Sequence, residues 1–223
     1  ERIDKPMDVF GPGWGDHAER VKAAWTELVT DDDIVIIAGD ISWGLKLDEA
    51  MADLDWIHEL PGQKVLLRGN HDLWWCRIQH LRTLYDDMHF LQNDCYYVEA
   101  LDLAICGSRG WPTPDATTYT EHDEKMYLRE QGRLRNSLVE AKKKGASRII
   151  MAMHYPPAKV EETEFTRIMQ EYGVMQCVYG HLHGMVAWTN GIKGEHGGID
   201  YKLVSLDYLG ARPKLIYDSE QEM

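Results

Sequence analysis

Four short apolar runs, each followed by a residue type that binds metal ions, constrain this chain more than any other feature. The runs cover residues 33–38, 64–68, 148–153 and 174–179 and are rich in Ile, Val, Leu and Met. Continuous apolar runs of this length are typical of strands in a sheet that is covered on both faces. We therefore predict four buried strands with polar residues at their carboxyl ends.

Helical patterns lie between these runs. Asp16 and Glu19 match a capping box at the start of a first helix, and an apolar stripe predicts a second helix over 47–57. A third helix is predicted from about Glu121 to Lys144, acidic at its start and basic at its end as the helix dipole favours. Alternating strands and helices predict a layered α/β fold, here one domain over 1–223. Additional strands are predicted at 96–100, 103–106, 201–206 and 214–217.

The charge of the chain limits its partners. It carries 24 basic and 37 acidic residues, a formal net charge of −13, and such a surface repels nucleic-acid backbones and anionic lipid headgroups. No run reaches the ~18 apolar residues of a membrane span, and the cysteines form no C-x-x-C pair, which is typical of reduced thiols. We therefore predict a soluble cytoplasmic protein that binds neither nucleic acid nor membrane; its oligomeric state is left open.

The residues that follow the four runs predict a metal centre. In open α/β sheets, ligands collect outside the carboxyl ends of the strands, so these side chains are expected to lie together. Glycine precedes three of them and permits a sharp turn of the backbone. Carboxylate, amide and imidazole donors suit Mn, Fe or Zn. The candidate ligands are Asp40, Asn70, His154, His181 and His183.

This ordered set resembles the calcineurin-like metallophosphoesterase superfamily, in particular its small bacterial and archaeal phosphohydrolases. The resemblance implies a four-layer α/β/β/α sandwich with a site for two divalent metal ions at the strand ends. By this resemblance Asp40 bridges the two ions. Asn70, His154 and His181 complete one site, and His183 belongs to the other. The matching segments are 39–40, 69–72, 154 and 180–183.

The resemblance also implies an enzyme, a metal-dependent phosphoesterase. It would hydrolyse a phosphomonoester or phosphodiester of a phosphorylated small molecule through attack by metal-bound hydroxide. His71 is expected to protonate the leaving oxygen, a task that suits a group titrating near neutral pH. Asp72 either orients His71 or caps the helix that follows. Arg109 either holds a substrate phosphate through paired hydrogen bonds or forms a surface salt bridge.

The chain departs from the family pattern at two places. The family carries an Asp-x-His motif at the end of its first strand, and no such motif is found here. The nearest candidate pair, Asp16 and His17, does not match because the two residues are adjacent instead of separated by one residue. We expect a native protein that begins before Glu1 with this strand, because a sheet without it exposes a long edge. The alternative is a chain with half of the site, which would bind metal weakly or bind one ion. Trp43 and Gly44 stand where protein Ser/Thr phosphatases have Asp and Arg, which disfavours that subfamily.

Other functional classes compete with a phosphoesterase. The alternative function is a catalytically weakened scaffold that kept the fold and binds proteins. The presence of His71 and His183 argues against this alternative, because a scaffold needs no general acid. A nuclease is disfavoured by the acidic charge and by the lack of a basic stripe. Residues 39–44 have the first spacing of a P-loop, but Leu45 replaces its lysine. Trp43 and Trp111 are candidate walls of a substrate pocket.

Overall fold

A computed structural model of the protein describes residue 11 and residues 14–219. Within them, the α-helices are α1 (His17–Leu28), α2 (Leu47–His58), α3 (Ile78–Leu81), α4 (Glu121–Lys143) and α5 (Glu164–Glu171). The strands are β1 (Ile34–Ile37), β2 (Gln63–Leu67), β3 (Met88–Leu91), β4 (Cys95–Val98), β5 (Leu103–Ser108), β6 (Arg148–Met153), β7 (Gln176–Tyr179), β8 (Gly194–His196) and β9 (Ile199–Leu203). No helix in these residues is both long enough and apolar enough to cross a bilayer.

The strands form two sheets. One has three parallel strands in the order β1-β2-β3, and the other has six in the order β4-β5-β6-β7-β9-β8. In the larger sheet β5, β6, β7 and β9 are parallel, while β4 and β8 pair antiparallel at the two edges. The four apolar runs of the sequence are confirmed as β1 and β2 of one sheet and β6 and β7 of the other.

Alternation along the strands divides the core into three apolar layers, and this confirms the α/β/β/α sandwich. Val65 and Leu67 of β2 face the other sheet, whereas Leu66 between them packs under α2. On the larger sheet, Val178 faces inward and Cys177 faces the layer formed by α4 and α5. Side chains of successive strand residues point to opposite faces, so each buried strand supplies two layers at once. The buried inter-sheet cluster is Val65, Leu67, Leu91, Ile105, Ala152 and Val178.

Two local predictions were wrong. Asp16 precedes α1 in a left-handed conformation, with φ of 49°, and its side chain makes no capping hydrogen bond. A capping box instead begins α4, where Thr120 and Asp123 exchange side-chain to backbone hydrogen bonds. Residues 214–217 form no strand in the described part of the chain, although Ile216 packs against the inter-sheet cluster.

A groove opens beside β1, which lies at the edge of its sheet among the described strands. The groove has a volume of about 1010 Å³ and lies between the two sheets, bordered by α1 and by residues 211–217. Ile34 and Ile36 of β1 face it and remain half-buried, whereas Val65 and Leu67 of β2, which face the same layer, are buried. The groove leads to the strand ends where the candidate metal ligands lie.

Candidate metal centre

Tight turns bring the ends of β1, β2 and β6 together. Asp40 follows β1 with φ of 55°, and Gly39 before it has φ of 88°. A Cβ at Gly39 would lie 2.7 Å from both the Gly69 nitrogen and His154 Nδ1, so only glycine permits this approach. Asp40 Oδ1 accepts a hydrogen bond of 2.8 Å from the His71 backbone N–H. Its second oxygen, Oδ2, is left facing His154 Nε2 at 3.4 Å.

Four of the five predicted ligands converge on one point. Asn70 Oδ1 lies 2.7 Å from His154 Nε2 and 2.9 Å from His181 Nδ1. The two imidazole nitrogens are 3.2 Å apart. One donor atom each from Asp40, His154 and His181 lies within 4.8 Å of the others. Each of the four side chains follows a different strand, β1, β2, β6 or β7, so the point is defined by both sheets.

The donor chemistry of this cluster fits a divalent cation. His154 Nδ1 lies 2.9 Å from the carbonyl oxygen of Ala38 and donates to it, which leaves the lone pair of Nε2 facing the cluster. Burial lowers the pKa of His154 and lowers that of His181 to about 4, so both rings are neutral at physiological pH. Neutral imidazole nitrogens, an amide oxygen and a carboxylate then face each other as acceptors, an arrangement that a bound cation stabilises.

His183 lies outside this cluster and is held by a carboxylate that the sequence did not reveal. Its Nδ1 lies 2.9 Å from Asp207 Oδ1, and Asp207 Oδ2 accepts the Gly184 N–H at 2.7 Å. The ring also contacts the edge of Trp14, with centroids 5.2 Å apart. Donation from Nδ1 to Asp207 leaves Nε2 available as a ligand. Asp207 follows β9 in a turn without a motif, so nothing in the sequence marks it.

His71 lies at the edge of the cluster against an aromatic ring. Its imidazole packs on the Trp43 indole with centroids 4.0 Å apart and planes 33° apart. Both residues border the groove, and the His71 side chain is half-buried. The backbone of His71 bonds to Asp40, so its ring is positioned relative to the candidate ligands. The predicted wall residue Trp43 therefore contacts the predicted general acid.

Asp72 joins the two ligand loops, a role that neither sequence interpretation gave it. It is fully buried, and its carboxylate accepts hydrogen bonds of 2.7 to 3.1 Å. None of these bonds within the described residues goes to the His71 ring or to the start of α3. Burial raises the pKa of Asp72 to about 6, against the opposing effect of its N–H donors. The donors are the backbone N–H groups of Asp40, Ile41, Ser42 and Gly69 and the indole N–H of Trp74.

Arg109 follows β5, and its backbone contacts the backbone of the candidate ligand His154. Its carbonyl oxygen accepts the N–H groups of His154, at 3.3 Å, and Tyr155, at 2.9 Å. Its side chain is 14% exposed, lies over the Trp111 ring at 4.6 Å, and approaches Glu130 at 3.8 Å. The predicted surface salt bridge is therefore a partly buried and loose contact with a fully buried carboxylate. Binding of substrate phosphate by Arg109 stays a prediction.

Comparison with known proteins gives one family match and several partial ones. The family model described as calcineurin-like phosphoesterase matches residues 12–185. The chain is 44% identical over 57 residues to the Gene 66 protein of Mycobacterium phage L5, and 38% over 71 residues to that of phage D29. The matched stretches cover 26% and 32% of the chain and 27% and 34% of the phage proteins. A solved protein of unknown function from Aquifex aeolicus aligns over 88% of the chain and 80% of its own length, with 13% identity and a TM-score of 0.45.

Proposed function

Since the chain belongs to the calcineurin-like phosphoesterase family, we propose that it is a metal-dependent enzyme that hydrolyses phosphoric esters. The observation that carries the proposal is the convergence of Asp40, Asn70, His154 and His181 on one point with their acceptor atoms facing inward. The substrate class is a phosphomonoester or phosphodiester of a small molecule. An acidic protein that admits such an anion needs a local centre of positive charge, which bound cations provide.

The chain's own residues define how the substrate and the ions are held. Asp40, Asn70, His154 and His181 would hold one ion, and Asp40 with His183 would hold the second. Two divalent ions, such as Mn, Fe or Zn, polarise phosphoryl oxygens and make water nucleophilic near neutral pH. Neutral His154 and His181 rings present lone pairs without losing a proton first. Through its hydrogen bonds to both ligand loops, Asp72 fixes the spacing of Asp40 and Asn70.

His71 is the proposed general acid. Its ring lies next to the cluster, borders the groove, and is stacked on Trp43, which limits its rotation. In the proposed reaction a ring N–H of His71 moves its proton to the oxygen of the leaving group as the bond from phosphorus to that oxygen breaks. An alkoxide leaving group needs this proton far more than p-nitrophenolate does, because an alkoxide is the stronger base.

Asp40→Asn tests the metal-dependent reaction most directly. We expect Mn-stimulated hydrolysis of p-nitrophenyl phosphate and of bis-p-nitrophenyl phosphate to fall about 1000-fold or more, because Asp40 is the carboxylate that would help to hold both ions. Asp102→Asn is a matched control. Asp102 also has a left-handed backbone, with φ of 49°, but lies away from the cluster and bonds to Tyr97. Turnover of Asp40→Asn equal to that of Asp102→Asn would remove Asp40 from the mechanism.

His71→Ala tests the proton donor by its dependence on the leaving group. The variant should keep its metal content and slow the hydrolysis of an alkyl phosphate by about 100-fold or more, with a much smaller effect on p-nitrophenyl phosphate. Asn70 and Asp40 remain in place, so metal content measured by mass spectrometry separates loss of acid catalysis from loss of the site. Equal slowing of both esters would contradict an acid role for His71.

One observation favours a second candidate, a protein-binding scaffold with weak metal affinity. Within residues 14–219, the only group of three or more His, Cys, Asp or Glu side chains close enough to hold an ion is the one around Asp40. Around His183 the described residues supply Asp207 but no comparable group. Equilibrium dialysis against Mn separates the two candidates. A chain that retains no ion and hydrolyses no ester in the same buffer would favour the scaffold.

A further inference from the structure

A group of arginines lies beside the metal centre and is not used by the proposed reaction. We call Arg68, Arg109 and Arg133 the arginine cluster; they line one small open depression between the ends of β2, β3 and β5 and helix α4. The cluster stands in a chain whose formal net charge is −13. The depression also contains backbone and side-chain atoms of Gln92 and Asn93.

The charges in this cluster are not balanced. Glu130 is the acidic residue that lines the depression, and it is fully buried. Its Oε1 lies 2.8 Å from an Arg133 nitrogen and 3.8 Å from an Arg109 nitrogen, while its Oε2 accepts a hydrogen bond of 3.1 Å from the Ser108 hydroxyl. A fourth guanidinium group, that of Arg129, approaches Glu130 at 4.0 Å, and the second carboxylate near the cluster is that of Asp72, which attracts Arg68. The guanidinium groups thus outnumber the carboxylates, which leaves positive charge to attract an anion.

The guanidinium groups also include a hydrogen-bond donor that the described residues leave without an acceptor. Arg109 Nε is buried and has no hydrogen-bond partner in the described part of the chain. Arg68 donates from Nε to the carbonyl oxygen of Asp72, at 3.2 Å. The Arg109 side chain is 14% exposed, so protein replaces most of the water around its guanidinium group. A buried cation with an unpaired donor is costly unless an anion occupies the site.

The cluster lies at the same strand ends as the candidate metal ligands. Arg68 comes two residues before Asn70 at the end of β2, and the Arg109 carbonyl accepts the N–H of His154. The depression has a volume of about 20 Å³, enough for one water-sized group. A tetrahedral oxyanion would therefore place one oxygen inside and rest at the mouth, where guanidinium groups bind phosphate oxygens in pairs.

We propose that the arginine cluster is a phosphate-binding site, separate from the metal centre, that holds a second phosphoryl group of the substrate. The preferred substrates are then small molecules with two phosphoryl groups, one hydrolysed at the metal centre and one held by the arginines. The assignment of a substrate group rests on the proposed function, whereas anion binding by the arginines does not need the metal ions.

Binding of inorganic pyrophosphate to the full chain tests the site without the reaction. Calorimetry in EDTA should show binding that Arg109→Gln and Arg133→Gln each weaken by about tenfold or more, the loss of roughly one charge-assisted contact. Arg135→Gln is the matched control, because Arg135 lies on the same helix but pairs with Glu164 and Glu171. Thermal melts identify a variant that fails to fold, and Arg133 is the safer position because its side chain is partly exposed.

Two outcomes of this titration would overturn the proposal. The first is no pyrophosphate binding by the wild-type chain in EDTA. The second is equal weakening by Arg133→Gln and Arg135→Gln, which would reflect the general charge of α4.

Kinetics with Mn present tests whether the site serves the substrate. The ratio of kcat/KM for 1,3-propanediol bisphosphate to that for propyl phosphate should fall about tenfold in Arg133→Gln and stay unchanged in Arg135→Gln. Hydrolysis of both esters with an unchanged ratio would overturn the substrate assignment while the proposed function stands. Hydrolysis of neither ester, with pyrophosphate binding that depends on Arg133, would overturn the proposed function and support the anion site.

Discussion

The two sides of the candidate metal centre are built differently. On the first side, the ring of His154 is 1% exposed and its Nε2 lies within 3.4 Å of Asp40, Asn70 and His181. On the second side, His183 is 34% exposed, borders the open groove, and is held by one hydrogen-bonded carboxylate, Asp207. The first side is enclosed by protein, whereas the second faces the groove beside β1.

The difference follows from how many strands support each side. The first side lies where β1, β2, β6 and β7 end, and Asp72 ties the loops after β1 and β2 together. The second side lies next to the edge of β1, which pairs only with β2 among the described strands. Ligands held by several buried strands lose little freedom on binding a metal. We therefore expect the first side to bind metal more tightly than the second.

Removing one histidine from each side gives the largest expected contrast. His154→Ala should abolish tight Mn binding and lower turnover about 1000-fold or more, because it removes a buried ligand and leaves Asn70 and His181 without their neighbour. His183→Ala should retain one tightly bound ion per chain and lower turnover less. Metal content after dialysis, measured by inductively coupled plasma mass spectrometry, checks both. Equal loss of metal in the two variants would erase the difference between the sides.

Asp72→Asn tests what holds the first side together. The carboxylate accepts five N–H donors in a buried site, and an amide would turn its NH₂ group toward some of them. We expect the free energy of unfolding to fall by about 2 to 4 kcal/mol, measured by urea denaturation of the metal-free chain. Asp48→Asn, at an exposed position in the first turn of α2, should change it by less than about 0.5 kcal/mol. A similar small change for both would contradict the structural role of Asp72.

The sequence predicted that the candidate ligands of the first side lie together, because each of them follows a buried strand. A continuous apolar run gives the strand, a glycine marks its sharp end, and the next polar residue must lie at the sheet edge. For that reason Asp40, Asn70 and His181 are recognisable without a structure. The α4 helix was equally clear, since a predicted range of Glu121 to Lys144 compares with an observed Glu121–Lys143.

Residues whose role depends on distant partners were not predictable. Asp72 reads as an ordinary turn residue, and only the folded chain brings the N–H groups of Ile41 and Ser42, about 30 residues earlier, onto its carboxylate. Arg68 and Arg133 are 65 positions apart and carry no motif, yet they line the same depression. Strand β3 was not predicted, because it is only four residues long and is followed by a polar turn.

Asp207→Asn makes the smallest expected change and acts on the second side alone. Loss of the charged acceptor should weaken the orientation of His183, and changes at such supporting carboxylates typically lower metal affinity by about 10- to 100-fold. A Mn titration followed by electron paramagnetic resonance should show that the tight binding step is retained and the weaker step is shifted. Asp200→Asn, a half-buried position on β9 that pairs with Lys202, is the control and should shift neither step. If the tight binding step shifted as much as the weak one, Asp207 would affect metal affinity on both sides. The proposed difference between the enclosed side and the side that faces the groove would then be contradicted.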